Sequence, residues 1–554
     1  MKTILTTLNA KYIHTSLALR WLYVVNREQH DIDFIEYTIK ESVDKIADDI
    51  ISTNCAVVGI SVSIWNVSQS RDLASRLKQL NPDIIIVVGG PEVSYEPKFF
   101  IDNWDIDFVI SGEGEFVLGR LLDALQDMNI DEIDIESVSS KRKISYKPAQ
   151  AEIAELVKYP SPYQLERDDE DRKNRMTYFE TSRGCPYSCQ YCLSSLEKGV
   201  RYFPPEYVTD NLDFLINSNV RQIKFLDRTF NLNKKHTSLV FDFLLQNHRP
   251  NLSCQFEIYA DLLNDETIDY LNNNVPKDYF RFEIGIQSTH EPTNIAVRRR
   301  QDFPLLYSNI EKIMNGGVID LHLDLIAGLP YETFDRFRKS FNDVFQLRAK
   351  EVQLGFLKLL RGTNLRRDAK FYGYSYDEEA PYEVFSGNDI SAKDLDRIRD
   401  AEGALEKFWN SGRFTQTMNY LFDEHYVGRY FQLFDEIGQY YNQHNLPHMG
   451  YQLEDLFRYL NDFLTSNGID AFALLRDDYY SNFKRRPQGF WKDSMDKRDR
   501  KRMLYNIGQD KDFLKRHNID RRIIEKMTAI DPLPSGEYLL TIFFDEGRTQ
   551  LVYP

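Results

Sequence analysis

Two stretches of this chain, CAVVGISV at 55–62 and DIIIVVGG at 83–90, are near-continuous runs of β-branched residues. A strand that is apolar on both faces must be covered on both faces, which calls for a parallel sheet with helices above and below. The neighbouring segments supply the rest. KTILTTL, IDFIEYTI and DFVISG read as three further strands, and SLALRWLYVV, VDKIADDIIS, SQSRDLASRLKQL and GEFVLGRLLDAL carry apolar residues at helical spacing between them. Residues 1–128 are therefore expected to form a doubly wound α/β domain, flavodoxin-like or Rossmann-like, with its ligand at the carboxyl ends of the strands.

Those ends carry the unusual residues. SVSIWN follows the third strand, GGPEVS the fourth, and SGEGE, 111–115, the fifth. Glycine there lets backbone approach a bulky ligand, although it also serves ordinary turns. Three such loops on one rim favour a ligand.

Residues 129–175 are polar, charged and broken by proline, and read as a linker. A second α/β series then occupies 176–370. Its strands are MTYFETS, QIKFLDRTF, SCQFEIYADLL, YFRFEIGIQS, VIDLHLDLIAGLP and EVQLGFLKLL. Six strands with helical crossovers are fewer than the eight of a closed barrel, so an open, partial (β/α)6 barrel is expected, with its site at the strand carboxyl ends. Residues 371–554 read as a mostly helical domain that closes with a β-hairpin around Asp545, Glu546 and Gly547.

A chain of 554 residues with 42% hydrophobic residues can fill several cores. Its formal net charge of −16 argues against generic nucleic-acid binding. From Lys484 to Lys526 the balance reverses, with 15 Lys and Arg against 7 Asp and Glu. That stretch is either a solvated helical face or a docking patch for an anionic partner such as single-stranded nucleic acid. No apolar run of about 18 residues marks a membrane span. The start, MKTILTTLNAKYIHTS, reads as a first strand rather than a signal peptide. Five cysteines make no disulfide framework and suit a reducing cytoplasm.

Three of those cysteines, Cys185, Cys189 and Cys192, fall in TSRGCPYSCQYCLSS, directly after the first strand of the second series. Soft thiolates select zinc or an iron–sulfur cluster. A closed zinc site needs a fourth ligand, and none follows at zinc-finger spacing. A 4Fe–4S cluster on three cysteines leaves one iron open. Cys55 and Cys254 lie inside strands and read as core.

The C-x3-C-x2-C pattern, with Tyr191 before its last cysteine, resembles the signature of the radical S-adenosylmethionine (SAM) superfamily. The preceding doubly wound domain resembles that of its cobalamin-binding, class B methyltransferase-like subfamily. The resemblance implies a 4Fe–4S cluster, SAM and cobalamin as cofactors. It implies reductive cleavage of SAM to a 5′-deoxyadenosyl radical, with methyl transfer through cobalamin to an unactivated carbon or to phosphorus. A non-methylating rearrangement or cyclisation, and a redox- or cobalamin-sensing protein, are the alternatives. An electron donor such as flavodoxin or ferredoxin is also implied.

Residue by residue, the resemblance places SAM against Tyr191, Asp227 of FLDRTF, Glu257, Tyr259, Glu283 and Gln287 of FEIGIQS, and Gly328 and Leu329 of IAGLP. FLDRTF keeps a carboxylate but lacks the glycines often found there. The plain alternative for Glu257 and Glu283 is a barrel-interior carboxylate satisfied by its neighbours. Cobalamin contacts are implied for Asn9, Tyr12, His14, Ser61, Ser63, Trp65, Asn66, Gly89, Gly90, Glu92, Val93, Gly112, Glu113, Gly114 and Glu115. The Asp-x-His-x-x-Gly motif that supplies cobalt with a lower histidine ligand is absent. His14 stands about where such a ligand would come from; the alternative is a polar residue that caps or lines the start of the first helix. No catalytic residue and no substrate is named by the sequence.

Overall fold

The computed structural model describes residues 1–197, 199–486, 495–545 and 547–554. By internal contact the chain forms two compact units, Met1–Leu395 and Asp396–Pro554. The expected boundary at 370/371 falls inside the first unit.

That unit holds two six-stranded sheets, one parallel but for its last strand and one parallel throughout. In the first, β1 (Thr3–Asn9), β2 (Ile32–Thr38), β3 (Val57–Ser61), β4 (Ile85–Gly89), β5 (Phe108–Ile110) and β6 (Val138–Ser139) lie in the order β2-β1-β3-β4-β5-β6. Helices α1 (Leu17–Asn26), α2 (Val43–Ser52), α3 (Val67–Leu80), α4 (Pro97–Asn103) and α5 (Glu115–Asp127) connect the first five strands and their loops. Every residue of β1 is buried, as a strand covered on both faces must be. The strand order reverses between β1 and β3, which makes the gap above them the topological switch point. The sixth strand lies in the stretch read as a linker. It pairs antiparallel with β5 through Ile110 and Val138, too short a match to register as a strand pattern.

The second sheet runs β14-β13-β12-β11-β10-β7, all parallel, from β7 (Thr177–Phe179), β10 (Gln222–Phe225), β11 (Ser253–Glu257), β12 (Phe280–Gln287), β13 (Asp320–Ala327) and β14 (Glu351–Phe356). These are the six strands of the expected open barrel. Its helix-side core is aromatic. Phe225, Phe230, Phe241, Phe256, Phe280 and Phe282 interlock with ring centroids 4.4 to 6.5 Å apart. A short hairpin, β8 (Ser182–Cys185) and β9 (Gly199–Tyr202), rises from the end of β7 and carries the first cysteine. Gly184 at φ +94° is required in it, because a side chain there would overlap the Gly199 carbonyl.

The second unit packs helices such as Tyr430–Gln443, Leu453–Ser466 and Phe472–Asn482 around Phe414, Phe457 and Tyr479. At the C-terminal end the expected hairpin is one strand short. Thr528–Pro532, Tyr538–Phe544 and Gly547–Tyr553 form a three-stranded antiparallel sheet. The first of these strands ends in Asp-Pro, a combination that reads as a turn. Of the basic stretch 484–526, residues 487–494 lie outside the described residues. Its helix Lys497–Gln509 packs Ile507 into a cluster with Phe513, Ile524 and Leu540 and leaves most of its charges outside. Among the described residues no helix is long and apolar enough to cross a membrane.

Candidate functional site

The cysteine loop leaves β7 at its carboxyl end, where barrel sites form. It is pinned from both sides. Gln190 N donates to Val297 O at 2.9 Å, Leu365 N donates to Gln190 O at 3.0 Å, and Ser195 Oγ donates to Cys192 O at 2.6 Å. All five cysteines are free thiols, and burial pushes Cys185 up from its ordinary value. Cys185, Cys189 and Cys192 line one cavity of about 250 Å³ together with Tyr191, Glu257, Tyr259, Glu283 and Gln287. Among the described residues no three His, Cys, Asp or Glu side chains are grouped to hold one metal ion. A cluster that takes one thiolate per iron has no need of such convergence; a closed zinc site does.

The rest of the cavity wall shows how it is built. Tyr187, from within the cysteine motif, stacks on Tyr259 with centroids 4.3 Å apart. Arg299 lies over the Tyr259 ring and donates to its hydroxyl at 2.9 Å and to the Gly285 carbonyl. Gln287 sits at φ +69° at an irregularity in the pairing of β12 with β13, and its Oε1 is buried without a hydrogen-bond partner. A strained residue with an orphaned acceptor at a cavity wall is a ligand contact in waiting. Glu283 is partly spoken for, since Lys224 Nζ lies 3.0 Å from its carboxylate. Burial raises Glu257, against the opposing field of Arg228. The wall thus offers three soft sulfur ligands, a stacked aromatic pair and unsatisfied polar groups, a set that suits a cluster and a nucleoside-bearing ligand such as SAM.

Three of the expected SAM residues are elsewhere. Gly328 and Leu329 do not line the cavity, and Leu329 is core. Asp227 turns inward. It accepts from Thr181 N at 3.0 Å, Thr181 Oγ1 at 2.6 Å and Ser182 Oγ at 2.5 Å, and burial pushes it up to about 6. Its carboxylate is committed to holding the base of the cysteine hairpin. The residue of FLDRTF that reaches the cavity is Arg228. Asp227→Ala is expected to leave three donors without an acceptor and to cost roughly 3 kcal/mol of stability, with lower iron content per chain on reconstitution.

A second cavity, about 380 Å³, opens above the switch point of the first sheet. Leu5, Leu17, Trp21, Val87, Ile110 and Leu118 form its apolar walls, with Gly59, Gly89, Gly90, Gly112 and Gly114 at its surface. Glu115 Oε2 is buried there without a partner. A slot with glycine edges and apolar walls admits a flat, bulky group such as a cobalamin, with a polar atom left to bind its edge.

Of the expected cobalamin residues, Ser61, Gly89, Gly90, Gly112, Glu113, Gly114 and Glu115 line this slot. The other eight do not. His14 bonds Tyr178 Oη through Nδ1 at 2.7 Å, and burial, with nearby lysine and arginine, lowers its pKa. Tyr12 is exposed and bonds Asp171, and Asn9 is buried between His14 O and Glu36. Asn66 spends its amide on Ser63 N, Thr7, Leu8 O and Ser61 O, so it locks the loop that also buries Ser63. Trp65 is half exposed, with Nε1 on Leu8 O, and Val93 is core. Glu92 accepts from Tyr382 Oη and lies 3.6 Å from Arg361.

Burial pushes Glu92 up to about 7, against the Tyr382 hydrogen bond and Arg361. A carboxyl raised on folding holds its proton more tightly in the folded chain. Its contribution is therefore full below its ordinary value and is lost as pH rises to about 7. Glu92→Gln removes that titration, so unfolding measured against pH is expected to lose up to about 3 kcal/mol of its downward slope.

Sequence reasoning missed Tyr187, Ser194, Arg228 and Arg299 at the cysteine cavity. Tyr187 and Ser194 lie within TSRGCPYSCQYCLSS itself, so the motif holds their signal. Arg299 carried no signal, because its place depends on the turn after β12.

The slot and the cysteine loop are joined by buried charge. Arg183, from the cysteine hairpin, lies 2.8 Å from Glu115, 3.2 Å from Glu113 and 2.8 Å from Glu180. Glu113 also pairs with Arg201, and these arginines hold it below its ordinary value despite its burial.

Comparisons with known proteins agree with this layout. Residues 4–122 match the B12 binding domain family, residues 179–344 the radical SAM superfamily, and residues 370–537 a family of proteins of unknown function, DUF4080. An uncharacterized methyltransferase of Pyrococcus horikoshii is 31% identical over 228 residues, 40% of this chain and 50% of its own. The cobalamin-dependent radical SAM methyltransferase TokK of Streptomyces tokunonensis is 24% identical over 413 residues, 71% of this chain. The chain spans 50% of the first relative's length and 60% of the second's. The structure of OxsB, a cobalamin-dependent S-adenosylmethionine radical enzyme, covers 85% of this chain, and the alignment covers 76% of OxsB, with a TM-score of 0.60 at 16% identity, a likeness of fold. Residues 4–122 thus carry a domain of the B12 binding family and residues 179–344, with the three cysteines, a domain of the radical SAM superfamily, in that order along one chain.

Proposed function

We propose that this chain is a cobalamin-dependent radical SAM enzyme that transfers a methyl group to an unactivated carbon or phosphorus centre. The observation that carries the reading is the meeting of the two cavities. The slot of the first sheet and the cysteine cavity share Ser194 and Arg228 as wall residues. A reaction that needs both a methyl carrier and a radical source needs its substrate at such a meeting point. When bound, the cluster supplies the electron that cleaves SAM to a 5′-deoxyadenosyl radical, and cobalamin supplies the methyl group.

In this reading Cys185, Cys189 and Cys192 hold the cluster. Glu257 and Gln287 bind SAM, and the Tyr187–Tyr259 pair, braced by Arg299, fixes the wall beside it. Gly89, Gly90, Gly112 and Gly114 border the cobalamin slot, whose apolar walls keep water out. Arg183 holds the SGEGE loop against the cysteine hairpin, so both cofactors keep one spacing. The electron comes from a small redox protein such as flavodoxin or ferredoxin.

The test is anaerobic reconstitution with iron, sulfide and cobalamin, followed by incubation with SAM and reductant. The expected products are 5′-deoxyadenosine and S-adenosylhomocysteine. Deoxyadenosine from a protein that retains no cobalamin would overturn the methyl-transfer reading.

A further inference from the structure

Arg228 follows β10 and stands where the two cavities share a wall, with Ser194 of the cysteine loop beside it in both linings. Arg228 is exposed, and Ser194 is half-buried. Among the described residues neither side chain makes a hydrogen bond or an ion pair. That is unusual for this neighbourhood, where the other arginines are spent. Arg183 and Arg201 pair with Glu113, and Arg299 is held by Tyr259, Gln301 and the Gly285 carbonyl.

The carboxyls that face Arg228 are Glu197 from the cysteine loop and Glu257 from β11, with the Tyr95 phenol on the side of the first sheet. Each feels the guanidinium charge, yet neither carboxylate comes within ion-pair distance. What remains is a fork of charged N–H donors and one hydroxyl donor, all unmet, at the point where a substrate would sit. Guanidinium donors match carboxylate and phosphate oxygens in pairs.

We infer that Arg228, with Ser194, anchors an anionic group of the substrate, a carboxylate or a phosphate, so that the acceptor centre lies between the two cofactors. The inference rests on the proposed function, because it needs a substrate at the shared wall. Arg228 is a specificity-determining residue in this account, not one that moves electrons or protons.

The test uses the reconstituted holoenzyme, first without SAM and then with SAM saturating, at constant ionic strength. Binding of inorganic pyrophosphate and of succinate is measured by equilibrium dialysis, in the unmodified protein and in Arg228→Gln and Arg228→Lys. One saturable anion site is expected. Its affinity should fall at least about tenfold in Arg228→Gln and be partly restored in Arg228→Lys. Preference for pyrophosphate or for succinate distinguishes a phosphate from a carboxylate substrate. Because Arg228 is exposed, the variants should fold, and a thermal unfolding curve checks this, since Arg228 itself borders the cobalamin slot. Absence of a saturable site, equal binding in Arg228→Gln, or loss of the site when SAM is added would overturn the proposal; in the last case Arg228 serves SAM itself. Failure of the unmodified protein to hold cobalamin or to release 5′-deoxyadenosine would sink the proposed function instead, and is read separately.

Discussion

Replacing Cys185, Cys189 and Cys192 together with alanine is expected to reduce 5′-deoxyadenosine formation to background and to remove the iron–sulfur charge-transfer absorption, while bound cobalamin is retained. The thiols line the cavity beside the barrel, and none of them lines the slot of the first sheet. Cys185 has the Tyr187 N–H and the Thr229 hydroxyl beside its sulfur, but these local contacts are not what pins the loop. The loop is held instead by backbone bonds of Gln190, Leu365 and Cys192 and by Asp227 at its base. Truncating the thiols should therefore leave the fold in place and delete only the chemistry. Iron content, absorption spectrum and cobalamin content of variant and unmodified protein are measured side by side. Loss of cobalamin in the triple variant would mean that the two sites do not load independently.

Gly89→Leu is expected to do the reverse. It should lower cobalamin affinity at least about a hundredfold, near 2.8 kcal/mol, and leave cluster assembly intact. A Cβ on Gly89 meets only the Ile110 carbonyl, at an ordinary 3.7 Å, and Gly89 lines the slot. The added side chain would thus fill ligand space rather than strain the chain. Gly112 makes the contrast. It sits at φ +83°, and a Cβ there would overlap the Ala149 backbone. Gly112→Ala is expected to lower stability by roughly 1–3 kcal/mol through the backbone. Cobalamin retention against a thermal unfolding curve separates the two. Equal loss of stability in both variants would mean that Gly89 also serves the fold.

These two glycines show how far the sequence could be read. GGPEVS and SGEGE announced a rim of close backbone approach, and the slot is there. Nothing in the one-dimensional pattern said which glycine the turn needs and which the ligand needs, because that depends on what lies opposite each missing Cβ. His14 and Asp227 carry the same lesson. Both are of the right residue type near a strand end. His14 is drawn off by Tyr178 on β7, and Asp227 by the donors of Thr181 and Ser182. Arg228, one residue along in FLDRTF, has no motif of its own to give it a role.

The sequence by itself determined the two parallel sheets, their order along the chain and the cysteine loop. Apolar runs, helical periodicity and cysteine spacing are local properties, and burial acts on them the same way in any arrangement. Only the tertiary structure decided which polar side chains are free to bind a ligand. A carboxylate, imidazole or guanidinium is available only if no neighbour takes its hydrogen bonds, and those neighbours come from segments far away in sequence.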